Sequence, residues 1–216
     1  MIVIAGNEQP RARIVVAANA LPVERHAATE LQKYLQQISG ALLSIEAVRD
    51  DQGPSIYIGS ACPTGDIDLS VDALGFDGYV VKSVGDDILL VGVKPYSCLY
   101  AVYHLLSRHL DCGFFEDGDQ IPQSPRIALG ELDDVCRPHF EWRNKCVAHH
   151  PAYSGHRWYS EQEWMRWFDW LVKTRINACE TNWLGRYTGI EALAAARFGI
   201  DIALTPWQQH NLAMMR

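Results

Sequence analysis

The sequence predicts a two-part protein of α/β and α+β class. An N-terminal mixed-sheet α/β sandwich is expected over residues 1–135, and an incomplete (β/α) TIM-type barrel, about its first three strands, over 136–216. Three observations predict this. Short β-branched runs alternate with two amphipathic helical stretches in the first part. Strands and helices of regular length alternate in the second, as in parallel βαβ units. Between them Phe114 to Pro122 is acidic, turn-rich and without apolar period, and reads as a linker leading through Pro125 to Pro138.

In the first part the expected strands are Ile2 to Ala5, Arg13 to Ala17, Leu42 to Val48, Ser55 to Gly59, Gly78 to Val84 and Asp87 to Val93. Pro22 suits the first turn of a helix, and Ala27, Leu31, Tyr34, Leu35 and Ile38 form one stripe before Gly40 stops it. The tetrapeptide Val84-Gly85-Asp86-Asp87 should close a hairpin. Pro95 opens a second helix with Cys98, Leu99, Val102, Leu105 and Leu106 at helical spacing, ending near Gly113. In the second part Phe140 to Ala148, Ile176 to Trp183 and Ile200 to Trp207 read as strands, with helices over Glu161 to Lys173 and Ile190 to Phe198. Trp164, Trp167, Phe168 and Leu171 recur as a packing stripe on the first of these helices.

Composition narrows the functional classes. The net charge of −7 leaves no broad cationic face to displace counterions from a polyanion, so nucleic acid is not an expected partner. No run approaches the roughly 18 apolar residues of a membrane span. The opening MIVIAGNEQP lacks a basic leader segment, which suggests the cytoplasm, or secretion if a native leader is missing. The six cysteines, Cys62, Cys98, Cys112, Cys136, Cys146 and Cys179, have no CxxC spacing and are expected to be reduced.

In parallel α/β folds reactive groups gather at the carboxyl ends of strands. There the sequence offers Asn144, Cys146 and His149, then Glu180, Asn182 and Trp183, then Trp207 and His210, with Arg143 nearby. An indole plate lies well against the C–H face of a pyranose while amides, imidazoles and guanidinium groups bond its hydroxyls, so the mixture suits a carbohydrate. Trp183 and Trp207 serve equally well as core residues, and both readings stay open. Neighbouring His149 and His150 point to opposite faces of a strand, so no metal and no cofactor are expected. Glycoside hydrolysis takes two carboxyl groups. Glu180 is the one acid at an expected carboxyl end, so the catalytic residues remain unassigned.

Three stretches resemble glycoside hydrolases that place a small α/β domain before a (β/α)₈ barrel, the α-N-acetylglucosaminidases, α-glucuronidases and β-hexosaminidases. Phe76-Asp77-Gly78-Tyr79-Val80-Val81 with Ile88 to Gly92, leading into Tyr100 to Leu106, is similar to the end of their N-terminal domain. Pro138 to Asn144 resembles the lead-in to the first barrel strand, and Trp164 to Asn177 the first barrel helix and its exit. The resemblance to β-hexosaminidases implies that Arg143 contacts the sugar, although Asn144 stands where they carry glycine. Asn144 and Cys146 match an Asn-x-Cys that lines the sugar pocket in α-N-acetylglucosaminidases. The catalytic carboxylates of these families lie on later strands.

The resulting expectation is a glycoside hydrolase-like protein for O-glycosidic bonds of a hexosamine- or uronic-acid-containing carbohydrate, present in partial form without its catalytic carboxylates. A closed barrel takes roughly 250 residues, so the chain is expected to stop mid-fold, with an exposed barrel edge open to self-association. The alternatives are a non-catalytic carbohydrate-binding or interaction protein using the same aromatic mouth, and a small enzyme using Cys146.

Overall fold

The computed structural model describes residues 1–47, 53–65, 67–147, 160–181 and 201–203; of 145–147, 161, 179–181 and 201–203 it describes the backbone. The chain divides into two compact units, Met1–Glu141 and Trp142–Arg216.

The first unit is built on a six-stranded mixed sheet. Its strands are β3 (Arg13–Val15), β4 (Ile45–Glu46), β5 (Ser55–Ile58), β6 (Tyr79–Val84), β7 (Asp87–Gly92) and β11 (Asp133–Cys136), in the order β11-β6-β7-β5-β3-β4. Strands β4, β3, β5 and β7 run parallel, and β6 and β11 close one side antiparallel. The β6–β7 hairpin turns on Gly85 and Asp86, with Gly85 at φ +63°. A mirror-image turn with glycine at its first central position requires that conformation.

Two helices pack on this sheet, α1 (Pro22–Ser39) and α3 (Ser97–His104). The α1 stripe expected from periodicity is buried throughout. Glu24 caps the helix by accepting the Leu21 N–H at 2.7 Å. On the other hand α3 is shorter than its apolar spacing suggests, because Leu105–His109 winds into a π turn. Apolar side chains from residues 61–74, including the one-turn helix α2 (Val71–Leu74), cluster with Val15, Tyr57 and Leu89 and with Val80 and Val91 of the sheet.

One strand stands apart from the main sheet, and one expectation needs correction. The first strand, β1 (Ile2–Gly6), pairs outside the main sheet, with β2 (Gln9–Pro10) and β10 (Arg126–Leu129). The segment after α3 is no linker. It forms the hairpin of β8 (Gly113–Phe115) and β9 (Gly118–Gln120), then β10, and then β11, which pairs with β6. Phe114 fastens this hairpin edge-to-face against Tyr34 of α1 and Tyr103 of α3, with centroids 5.6 and 5.3 Å away. Asp119 accepts a hydrogen bond from the Tyr34 hydroxyl. Long-range partners, absent from any local pattern, fold a stretch that looks like loop.

The second unit holds a parallel sheet in the order β12-β13-β14, made of Asn144–Val147, Ala178–Thr181 and Asp201–Ala203. Helix α4 (Glu161–Lys173) lies between β12 and β13 in sequence. Its start is fixed by a capping box: Ser160 Oγ accepts the Glu163 N–H, and the Glu163 carboxylate accepts the Ser160 N–H at 2.7 Å. Its stripe of Trp164, Trp167, Phe168 and Leu171 is buried as the spacing predicts. The helix expected over Ile190 to Phe198 lies outside the described residues.

Candidate functional site

The parallel strands set residues side by side. Cys146 pairs in register with Glu180, and Glu180 with Ala203, so these positions share one level and one face of the sheet. Asn144, Ala178 and Asp201 form the level nearest the amino ends. Cys146 and Glu180 are thus brought together toward the carboxyl ends, where Val147 and Thr181 complete the strands. His149, Asn182, Trp183, Trp207 and His210 lie outside the described residues.

Arg143 and Asn144 stand at the other end from that expected for a strand-end pocket. The apolar Phe140 suggests an earlier strand start, yet Phe140 and Trp142 are exposed and pairing begins at Asn144. Arg143 is held in place by its neighbours. Its N–H donates to Asn177 Oδ1 at 2.8 Å, its Nε donates to the Arg175 carbonyl at 2.6 Å, and its own carbonyl accepts the Asn177 and Ala178 N–H groups. Arg175 takes a positive φ of 63°, which presents that carbonyl at the turn out of α4. Buried Asn177 and the Arg143 guanidinium together fix the register at which β12 meets β13.

In the first unit the buried carboxylates Glu24 and Glu30 are engaged in structure. Glu24 Oε1 accepts the Ser60 N–H at 2.6 Å in addition to capping α1, and Glu30 accepts from the Tyr103 hydroxyl at 3.0 Å and from Lys33. Burial pushes the Cys62 thiol up to about 12, the Cys112 thiol to about 11 and the Cys98 thiol well above its usual range, so these remain protonated at neutral pH. Among the described side chains, Cys62, Cys98, Cys112 and Cys136 are in no disulfide. A cavity of about 580 Å³ lies on the sheet face beneath Pro63 and Ile67, bounded by Val80, Leu89 and Val135. Its lining is mainly apolar, with Lys82 and Asp68 as its charged groups, and no pair of carboxylates faces it.

One titratable group was not anticipated from sequence. His104 at the end of α3, His109 at the end of the π turn and Asp134 of β11 converge, with one donor atom of each within 4.8 Å of the others. His109 Nε2 lies 2.6 Å from Asp134 Oδ2, and His104 Nε2 3.6 Å from the same oxygen. A spacing of five does not align side chains on a regular α-helix, so the pair gives no signal without the i→i+5 winding that joins it.

Comparison with known proteins bears on the first unit above all. Residues 5–105 match the family described as Glycosyl hydrolase family 67 N-terminus. No curated protein matches the chain. Among solved structures, the family GH115 4-O-methyl-alpha-glucuronidase BtGH115A, with specificity for decorated arabinogalactans, is 18% identical with a TM-score of 0.69 over 95% of this chain and 30% of its own. The GH20 beta-N-acetylhexosaminidase from Streptomyces coelicolor A3(2) is 15% identical with a TM-score of 0.60, covering 94% of this chain and 42% of its own. CpGH84D is 11% identical at a TM-score of 0.62, covering 94% and 34%. The chain therefore spans less than half the length of each of these proteins. Together these findings give residues 5–105 a likeness to a glycosyl hydrolase N-terminus and the chain a fold shared with these structures. Among the described residues no helix is long and apolar enough to cross a membrane.

Proposed function

We propose that the chain supplies the accessory domain and the first barrel strands of a glycoside hydrolase acting on O-glycosidic bonds of a hexosamine- or uronic-acid-containing carbohydrate. The domains of this reading are 1–135 and 136–216. The observation that carries it is the in-register parallel β12-β13-β14 sheet, with α4 between its first two strands, following a unit that matches a glycosyl hydrolase N-terminus. In a (β/α)₈ enzyme those carboxyl ends form the mouth of the pocket. Cys146 and Glu180 then contribute to its wall, with His149, Asn182, Trp183 and Trp207 contributed from the chain beyond the strand ends. Arg143 and Asn144 set the start of the first strand, and so the height of the wall.

Glu180 alone does not make an acid and base pair. In this reading the reacting carboxylates come from further strands, and the 216-residue chain by itself turns over no substrate. Two measurements test this. Aryl glycosides of GlcNAc and of glucuronic acid, incubated with the isolated chain, should release no phenol; sustained turnover would overturn the proposal. The reading frame downstream of Arg216 should encode further strand and helix units with Asp or Glu at strand ends, and a stop codon there would overturn it equally.

A further inference from the structure

We propose that His104, His109 and Asp134 form a binding site for a Zn²⁺ ion in the first unit. Three different elements deliver the donors. His104 is the last residue of α3, His109 closes the π turn, and Asp134 sits on β11, the strand that pairs with β6. On β11 the residues alternate, so that Asp134 and Cys136 are half-buried on one side while Asp133 and Val135 face outward. The donors are thus fixed by a helix end and a sheet, which is the kind of support a metal site needs.

The donor atoms, all within 4.8 Å of one another, are close enough for an ion of this size to gather. Around a tetrahedral Zn²⁺ with bonds of about 2.0–2.1 Å, donor atoms stand about 3.3 Å apart. The 3.6 Å between His104 Nε2 and Asp134 Oδ2 already fits. The 2.6 Å between His109 Nε2 and Asp134 Oδ2 is a hydrogen bond that must open by about 0.7 Å, a small movement for a carboxylate on a half-buried strand. Two imidazoles and one carboxylate suit zinc better than magnesium or calcium, which prefer oxygen donors throughout. Three protein ligands leave a fourth position for water or a ligand atom.

The surroundings orient the donors as well. The Nδ1 of His104 lies 3.2 Å from the Tyr79 hydroxyl, so a proton on Nδ1 can be donated to that oxygen and the Nε2 lone pair left for the metal. Cys136 Sγ lies 3.5 Å from the same Nδ1 and is not counted among the donors.

Titration of the whole chain with Co²⁺ as a spectroscopic probe, followed by Zn²⁺ competition, tests the site. One equivalent of Co²⁺ should give the visible bands of a low-coordinate ion, without the strong thiolate charge-transfer band that a cysteine ligand produces. His109→Gln and Asp134→Ala should each weaken Co²⁺ binding by about tenfold or more, and Tyr79→Phe, which removes an orienting partner rather than a ligand, by about tenfold. Circular dichroism of each variant separates lost binding from lost folding. Unchanged binding in folded His109→Gln and Asp134→Ala would place the ion on other histidines and overturn the proposal. So would the absence of a stoichiometric Co²⁺ complex in the unmodified chain.

Discussion

The two units are pinned by different kinds of polar group. In Met1–Glu141 buried carboxylates are consumed by the fold: Glu24 satisfies two backbone donors and Glu30 ties α3 to α1. In Trp142–Arg216 the strand levels put Cys146 beside Glu180 on a sheet whose register is held from the amino side by Arg143 and Asn177. Glu24 and Glu30 are thereby committed to the fold, whereas Asp134 of the same unit faces two imidazoles. A parallel sheet pinned at its amino end leaves its carboxyl end free to vary.

This contrast can be measured because all seven tryptophans, from Trp142 to Trp207, fall in the second unit. Tryptophan fluorescence therefore follows that unit alone, while hydrogen exchange at the α1 amides follows the first. The largest effect is expected from Phe168→Ala. Phe168 is fully buried, in contact with the rings of Trp164 and Trp167, and its truncation should cost the second unit about 3–5 kcal/mol. The tryptophan transition should move to lower denaturant while α1 protection stays unchanged. Equal movement of both would show that the two units unfold as one.

The converse test lies in the first unit. Glu24→Leu takes the acceptor of the Leu21 and Ser60 N–H groups away and should cost about 1–3 kcal/mol, read as lost protection along α1. Gly59→Ala should act at the same place, since Gly59 has φ +61° and a Cβ there would stand 2.2 Å from Glu24 Oε1. The tryptophan transition should not respond to either. A shift there would join the Glu24 network to the second unit.

What could be read from the sequence follows the same division. Helix α1, the β6–β7 hairpin and the stripe on α4 are local patterns, carried by period and turn chemistry within a few residues. The β8–β9 hairpin and strands β10 and β11 depend on partners far away in sequence, Tyr34, Tyr103, β1 and β6, and so looked like linker. Of the expected strand-end residues the structure describes the backbone of Cys146 and Glu180, and the expected height of Arg143 and Asn144 was imprecise. Strand order pointed to Cys146 and Glu180, but the hydrogen bonds that start β12 at Asn144 join residues more than thirty apart. The histidine and aspartate cluster was hidden for both reasons, a π turn and a distant strand.

A gentler probe is the serine cap at the start of α4. Ser160→Ala removes the acceptor for the Glu163 N–H and should destabilise the second unit by about 1 kcal/mol. The Glu163 carboxyl is held below its ordinary value of 4.5, first by the Ser160 N–H and then by the Ser160 hydroxyl. A depressed carboxyl contributes stability above its unfolded pKa and loses it as pH falls through the folded one, so the contribution should fade below about pH 4.5. Asp68 in the first unit is lowered in the same way by the Ser70 N–H. Acid titration should therefore weaken both units, and Glu163→Gln should flatten the acid limb of the tryptophan transition while leaving that of α1 protection intact. Flattening in both would mean that the Glu163 cap supports more of the molecule than its own helix.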